Sequence, residues 1–98
     1  MWLYDVIWLN RFVEKIAEKH AVTIREVEEV LFSEPHIRIA EKGRVRGEDL
    51  YAAYGQTLGG RYLVIFFIRK RRTAALPITA RDMTPSERRY YNEQKKSR

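Results

Sequence analysis

The stretch Tyr62-Leu63-Val64-Ile65-Phe66-Phe67-Ile68 is the longest apolar run in the chain, and its reading decides the fold. It falls far short of the ~20 residues that a membrane-spanning helix needs. It is the length of a strand, and no polar residue alternates with the apolar ones. A strand of that kind is buried on both faces and belongs at the centre of a sheet. Phe66, near the middle of the run, is expected in the core. Downstream, Arg69 to Thr73 reads as a charged turn and Ala74 to Arg81 as a partner strand. In that partner Leu76, Ile78 and Ala80 share one face, with Thr79 and Arg81 on the other. Pro77 cannot donate to a ladder, which puts the strand at an edge or gives it a bulge. Upstream, Gly55, Gly59 and Gly60 mark the exit from a strand over Leu50 to Thr57. A glycine-bounded polar turn, Lys42 to Gly47, precedes it. Before that turn, Ile37 and Ile39 alternate with Arg38 and Ala40, giving the first of four strands.

The segments flanking these strands have the period of helices. From about Ile7 to His20, the residues Ile7, Phe12, Val13 and Ile16 form a stripe, with Arg11, Glu14, Lys15 and Glu18 facing water and Asn10 as the candidate N-cap. Thr23-Ile24-Arg25-Glu26 is a capping box, in which the hydroxyl and the carboxylate each accept the other's free backbone N–H. The helix it starts buries Val27, Val30 and Leu31, runs to about Phe32 and is stopped by Pro35. Thr84-Pro85-Ser86-Glu87 is a second capping box with proline at the first helical position. It opens a last helix to about Gln94, with Lys95 to Arg98 as a frayed tail. The expected architecture is α+β: two N-terminal helices, a four-stranded antiparallel β-sheet joined by short connections, and a C-terminal helix, in one domain over residues 1–98.

Composition narrows the function classes. The 98 residues suit one core. There is no cysteine, which removes disulfides and thiolate metal sites. With no secretory signal, the cytoplasm is the simplest compartment and no membrane partner is called for. The net charge is +6, unevenly spread: residues 1–60 carry 8 Lys/Arg against 10 Asp/Glu, and residues 61–98 carry 11 against 3. A basic back half on a mildly acidic front points to a polyanion-binding surface built by the last third.

Glycine-rich phosphate loops, paired-histidine metal spacings and nucleophile elbows are absent. His20, next to Lys19 at a helix end, reads as a capping residue or a member of a site, and His36 as a surface residue. What remains is arginine, lysine, tyrosine and a few carboxylates. That set fits one reaction class, because RNA carries its own nucleophile in the 2′-hydroxyl. The enzyme then has to align the 2′-oxygen with the scissile phosphate, move a proton and stabilise the added negative charge, without metal or cofactor. Arg61 and Arg81, at the outer ends of the last two strands, are the candidate phosphate ligands; the alternative is that each pairs with an acid such as Asp82 or Glu87. The turn Arg69, Lys70, Arg71 and Arg72 is a candidate RNA contact. So are Arg88 and Arg89, in a helix where Tyr90 is read as packed on the sheet and Tyr91 as more exposed.

Several stretches together resemble the BrnT-like toxins, within the wider RelE-like group of ribonuclease toxins from bacterial type II toxin–antitoxin systems. They are Lys19-His20-Ala21-Val22 followed by Glu26 to Leu31, then Tyr54-Gly55-Gln56-Thr57 with Gly60-Arg61, then Thr79-Ala80-Arg81-Asp82-Met83-Thr84 with Glu87-Arg88 and Tyr91. The resemblance implies metal-independent RNA cleavage, the same order of helices and strands, and a small antitoxin of the ribbon-helix-helix type. It leaves homo-oligomerisation open. Arg81, Glu87 and Arg61 match the family pattern, and His20, Glu87 and Tyr91 are the candidates for acid or base. Ala21 stands where family members carry glycine, Ala74 and Leu76 where many carry arginine, and Leu50 where an arginine often opens the second strand. A non-catalytic module that grips RNA or an acidic protein through the same face is the alternative function.

Overall fold

A strand that is apolar on both sides needs cover on both sides, and the computed structural model, which describes residues 1–96, supplies it. In chain order the elements are β1 (Asp5–Val6), α1 (Asn10–His20), α2 (Ile24–Leu31), β2 (His36–Glu41), β3 (Leu50–Gln56), β4 (Tyr62–Lys70), β5 (Ala74–Asp82) and α3 (Pro85–Lys96). The strands form one sheet in the order β1-β5-β4-β3-β2, with β4 in the middle. Leu63, Ile65 and Phe67 point to the face that carries Ile16 of α1 and Val27, Val30 and Leu31 of α2. Val64 points to the other face, with Ala52, Tyr54 and Met83, where Tyr62, Phe66, Tyr90 and Tyr91 pack around it. Phe67 is fully buried and Phe66 is only half-buried, so the aromatic at the centre of the helix-covered core is one residue later than the position expected of it.

The sheet corrects the expected architecture. It has five strands and is mixed, where four antiparallel strands were expected. β2, β3, β4 and β5 are antiparallel neighbours, but β1 runs parallel to β5, with Asp5 opposite Ala74 and Val6 opposite Ala75. Further bonds extend the join: the Tyr4 N–H donates to the Thr73 carbonyl and the Ile7 N–H to that of Ala75, both at 2.8 Å. Two paired residues are too few to show a period in sequence, and the segment is specified by the strand it lands on. Pro77 sits where the chain tolerates it. The register between β4 and β5 shifts between Phe66 and Phe67, which leaves Ile78 as the extra residue of a bulge. β1 has ended by then, so β5 has a strand on one side only at Pro77.

Helix boundaries follow local chemistry. Both bonds of the Thr23–Glu26 capping box form, at 3.0 and 3.1 Å. Those of the Thr84–Glu87 box form at 2.8 and 3.2 Å. α1 begins at Asn10 itself, with Leu9 in the capping position and no side-chain cap, and Ile7 lies before the helix. α3 continues to Lys96, so Lys95 and Lys96 are helical rather than tail, and Ser97 and Arg98 lie outside the described residues. Gly55 answers a packing need: a Cβ there would lie 3.0 Å from Val30 Cγ1, and the bare backbone lets α2 settle onto β3.

Ala21 ends α1 in the left-handed conformation, at φ 53° and ψ 40°, and its N–H caps the Ala17 carbonyl. This is a backbone site that glycine fills without steric cost. Holding a Cβ there costs on the order of 1 kcal/mol, partly offset by the lower chain entropy of unfolded alanine. Ala21→Gly is therefore expected to stabilise the fold by about 0.5 kcal/mol, read as a higher denaturant midpoint at unchanged slope. A lower midpoint would show that the cap is not strained.

Candidate functional site

Strand pairing sets one row of side chains across the sheet face that carries α3. His36 of β2 lies opposite Tyr54 of β3, Tyr54 opposite Val64 of β4, and Val64 opposite Arg81 of β5. The next row on that face holds Arg38, Ala52, Phe66 and Thr79. α3 lies against this face. Its Tyr90 hydroxyl is 2.7 Å from His36 Nε2, and its ring meets that of Tyr54 edge-on at 5.3 Å. The Arg38 guanidinium lies 4.5 Å from the centre of the Tyr90 ring, and Nη2 donates to the Tyr54 hydroxyl at 3.0 Å. That bond raises the pKa of Arg38 above its usual value, and burial opposes it. Arg81 meets Glu87 as a two-pronged ion pair, Nη1 to Oε1 at 2.7 Å and Nη2 to Oε2 at 3.0 Å, beside the Phe66 ring at 5.5 Å. Through these hydrogen bonds Arg81 holds the Glu87 carboxyl at a pKa of about 2, with a smaller contribution from the Thr84 backbone N–H.

Arg61 takes the other side of the sheet. Its Nε and Nη2 donate to Asp82 at 2.7 and 3.1 Å, Nη1 to the Ala21 carbonyl at 2.7 Å and to Glu26 at 3.2 Å, and Nη2 to the His20 carbonyl at 2.9 Å. One guanidinium thus caps the C-terminus of α1, braces the capping box of α2 and fixes the end of β5. The hydrogen bonds to Arg61 lower the pKa of Asp82. Arg61 and Arg81 are close in the hairpin but directed to opposite faces, so they do not converge on one point.

The remaining expected residues scatter around these two centres. His20 is half-exposed at the end of α1 on the Arg61 side, and its carbonyl is one of the atoms Arg61 binds. Tyr91 packs edge-on against Tyr62 at 6.0 Å, and Arg88 lies over the Tyr62 ring at 4.1 Å. Arg89 is exposed on α3. Of the basic run expected as a turn, Arg69 and Lys70 end β4 and only Arg71 and Arg72 lie in the turn; Lys70 is six ladder positions from the Arg81 row, roughly 20 Å at ~3.3 Å per residue. His36, Arg38 and Tyr54 were missing from the expected set. Their signal was the alternation around Ile37 and Ile39, which places His36 and Arg38 together on the face opposite the helices. Among the described residues, no group of three or more histidine and acidic side chains is placed to hold a metal ion, and no helix is long and apolar enough to cross a membrane.

With this geometry in place, the comparison with known families is decisive. Residues 10–87 match the family described as the ribonuclease toxin, BrnT, of type II toxin–antitoxin systems. The chain belongs to the BrnT family. No curated protein matches it. BrnT membership brings an RNA substrate and an antitoxin partner. The BrnT match opens on the first residue of α1 and closes on Glu87, the partner of Arg81. It therefore includes His36, Arg38, Tyr54 and both hairpin arginines, and leaves β1 and the tyrosines of α3 outside.

Two expected outcomes follow from these ion pairs. Arg61→Ala should destabilise the fold by about 2–4 kcal/mol, since two carboxylates and two helix carbonyls lose a partly buried donor at once. Arg61→Lys should recover less than half of that, because an ammonium cannot reach all four. Equal melting of wild type and Arg61→Ala would remove Arg61 from the scaffold. The second outcome concerns pH. Glu87 has a folded pKa of about 2, below the ordinary 4.5. Its stabilisation is present in full above about pH 4.5 and is lost as the pH falls towards 2. Between pH 5 and 3 the melting temperature should fall further for wild type than for Glu87→Gln, and parallel curves would contradict the pairing.

Proposed function

We propose that this BrnT-family chain cleaves RNA on the sheet face beneath α3, without metal or cofactor, using the substrate's own 2′-hydroxyl as the nucleophile. The observation that carries this reading is the convergence of Arg38, Arg81, His36 and Tyr90 on one face. Arg81 and Arg38 would bind the non-bridging phosphate oxygens. Their permanent, forked charge suits the extra negative charge of a five-coordinate phosphorus. The 2′-oxygen–phosphorus bond forms as the bond from phosphorus to the 5′-oxygen breaks, leaving a 2′,3′-cyclic phosphate and a 5′-hydroxyl. His36 takes the 2′-hydroxyl proton. Tyr90 gives a proton to the departing 5′-oxygen and regains one from His36 along their hydrogen bond. A substrate phosphate oxygen replaces one oxygen of Glu87 on Arg81. Glu87, bonded to Arg81 and to the Thr84 N–H, serves as a positioning residue. Arg61, His20 and Tyr91 serve the scaffold around the site.

Residues 1–98 would act as one domain in the cytoplasm, held in check by a ribbon-helix-helix antitoxin that presents acidic groups to the same basic face. The occupation of Arg81 by Glu87 also supports the second reading, a surface that binds RNA or protein without cutting it. Cleavage of a labelled RNA in the presence of chelator separates the two. Arg81→Ala should lower the rate by on the order of a hundredfold or more when assayed well below its melting transition, which loss of the Glu87 pair brings down. Arg81→Lys should recover little of it. His36→Gln should slow cleavage by on the order of a hundredfold while leaving RNA affinity in place. A wild type that binds but never cuts would establish the binding module, and an Arg81→Ala protein as fast as wild type would overturn this mechanism.

A further inference from the structure

A cleft of about 360 Å³ lies at the outer end of the β4–β5 hairpin, lined by Gly60, Arg61, Tyr62, Asp82, Met83 and Arg88. Its volume is within the ~300–1,000 Å³ of ligand clefts. It meets the proposed phosphate site at the strand end, where the Asp82 carbonyl accepts from Arg81 Nη1 at 3.1 Å while the Asp82 carboxylate turns to Arg61. Two features of its wall have no part in the cleavage chemistry. One is the stacked pair of Arg88 on Tyr62, at 4.1 Å from cation to ring centre, with Arg88 exposed and the ring braced by Tyr91. The other is the Asp82 carboxylate, which is held by Arg61 yet keeps 62% of its side chain exposed. Each of its oxygens has a lone pair beyond its bond to Arg61.

We propose that this cleft is a base-binding subsite that selects guanine in the nucleotide next to the scissile phosphate. The inference rests on the cleavage reading for the identity of the neighbouring phosphate, and deepens it by assigning base specificity. Single-stranded RNA is read by stacking unpaired bases on aromatic rings and guanidinium planes and by hydrogen-bonding their exposed edges. The outer side of Arg88, backed by Tyr62, is such a platform. The Asp82 carboxylate accepts only. Guanine is the base whose Watson–Crick edge offers adjacent N1–H and N2–H donors with no acceptor between them. Adenine and cytosine each set one amino group beside an acceptor nitrogen, and uracil flanks its single N–H with two carbonyl oxygens, which the carboxylate repels. The Arg61 partnership keeps that acceptor fixed and ionised, because the guanidinium cannot be deprotonated.

The test is binding of the four ribonucleoside 3′-monophosphates to the full chain, followed by amide chemical shifts in NMR, beside a map of cut sites in a mixed-sequence RNA. Guanosine 3′-monophosphate should bind at least fivefold more tightly than the uridine nucleotide and shift the amides of Gly60, Tyr62, Asp82, Met83 and Arg88. Arg88→Ala, an exposed helix position whose folding is checked by its melting curve, should remove most of that preference and scatter the cut sites. Equal affinity for all four nucleotides, shifts confined to other surfaces, or a guanine preference that survives Arg88→Ala would each overturn the subsite. Cutting at unselected bases with Arg81 still required sinks the subsite and spares the cleavage reading. Guanine selectivity in binding without any cleavage does the reverse.

Discussion

Arg61 reaches parts of the chain up to 41 positions from it in sequence: the last carbonyls of α1, the first turn of α2 and the end of β5. Each group it binds needs a donor for its own reason. The α1 carbonyls are orphans of a helix C-terminus, where positive charge also suits the helix dipole. Glu26 is already committed to the Thr23 capping box, and Asp82 stands where β5 gives way to the second box. One planar cation satisfies all of them because its donors point in fixed, different directions. Fixing Asp82 has consequences on the far side of the sheet. The residue before it is Arg81, and the box at Thr84–Glu87 starts α3 two residues after it. The helix-side ion cluster and the α3-side cluster are therefore two sides of one strand end, and the first orients the second.

The central strand divides the molecule's tasks. On the helix side, Leu63, Ile65 and Phe67 meet aliphatic side chains from α1 and α2, and burial there drives folding. On the α3 side the cover is thinner. No residue of α3 is fully buried, and the helix is held by rings and polar tips: Tyr90 on His36 and Tyr54, Tyr91 on Tyr62, Glu87 on Arg81. Interactions of that kind are directional and exchangeable. A phosphate can take the place of a carboxylate on a guanidinium, and a base can stack where a ring edge now rests. The aliphatic face and the face held by rings and polar tips are separated by the thickness of one sheet.

How much of this was legible in the sequence depended on the range of the forces involved. The capping boxes, the end of α2 before Pro35 and the position of β4 are set by neighbours within a few residues, and local pattern is enough to read them. β1 was invisible because Asp5 and Val6 have no period of their own and become a strand only when the β5 edge receives them. Arg61 and Arg81 were legible as residues with a charged partner, but the faces they take were not, since that depends on the register of β4 against β5. His36 was read as a surface residue for want of a local partner; Tyr90, which lies 54 positions away, supplies one. Arg38 is the instructive case. Its alternation with Ile37 and Ile39 carried the face, but the rings of Tyr54 and Tyr90 that make its charge useful come from β3 and α3.

The charge of the back half also resolves into two kinds. Arg61 and Arg81 are ion-paired, so at a distance their charge is largely cancelled, while at contact their geometry is fixed. The field a polyanion meets first comes instead from exposed groups such as Arg69, Arg71 and Arg72 at the far end of the hairpin and Arg89, Lys95 and Lys96 on α3. Those groups are screened by salt and release counterions when they meet phosphate. A field of that kind attracts a polyanion with little regard for its sequence. On the proposed reading the reaction falls to Arg81, whose donors are already aimed and which a phosphate engages by displacing an oxygen of Glu87, while Arg61 stays bound to its carboxylates. Attraction and precision are thus assigned to different arginines of one chain, and net charge, which counts them alike, could not tell them apart.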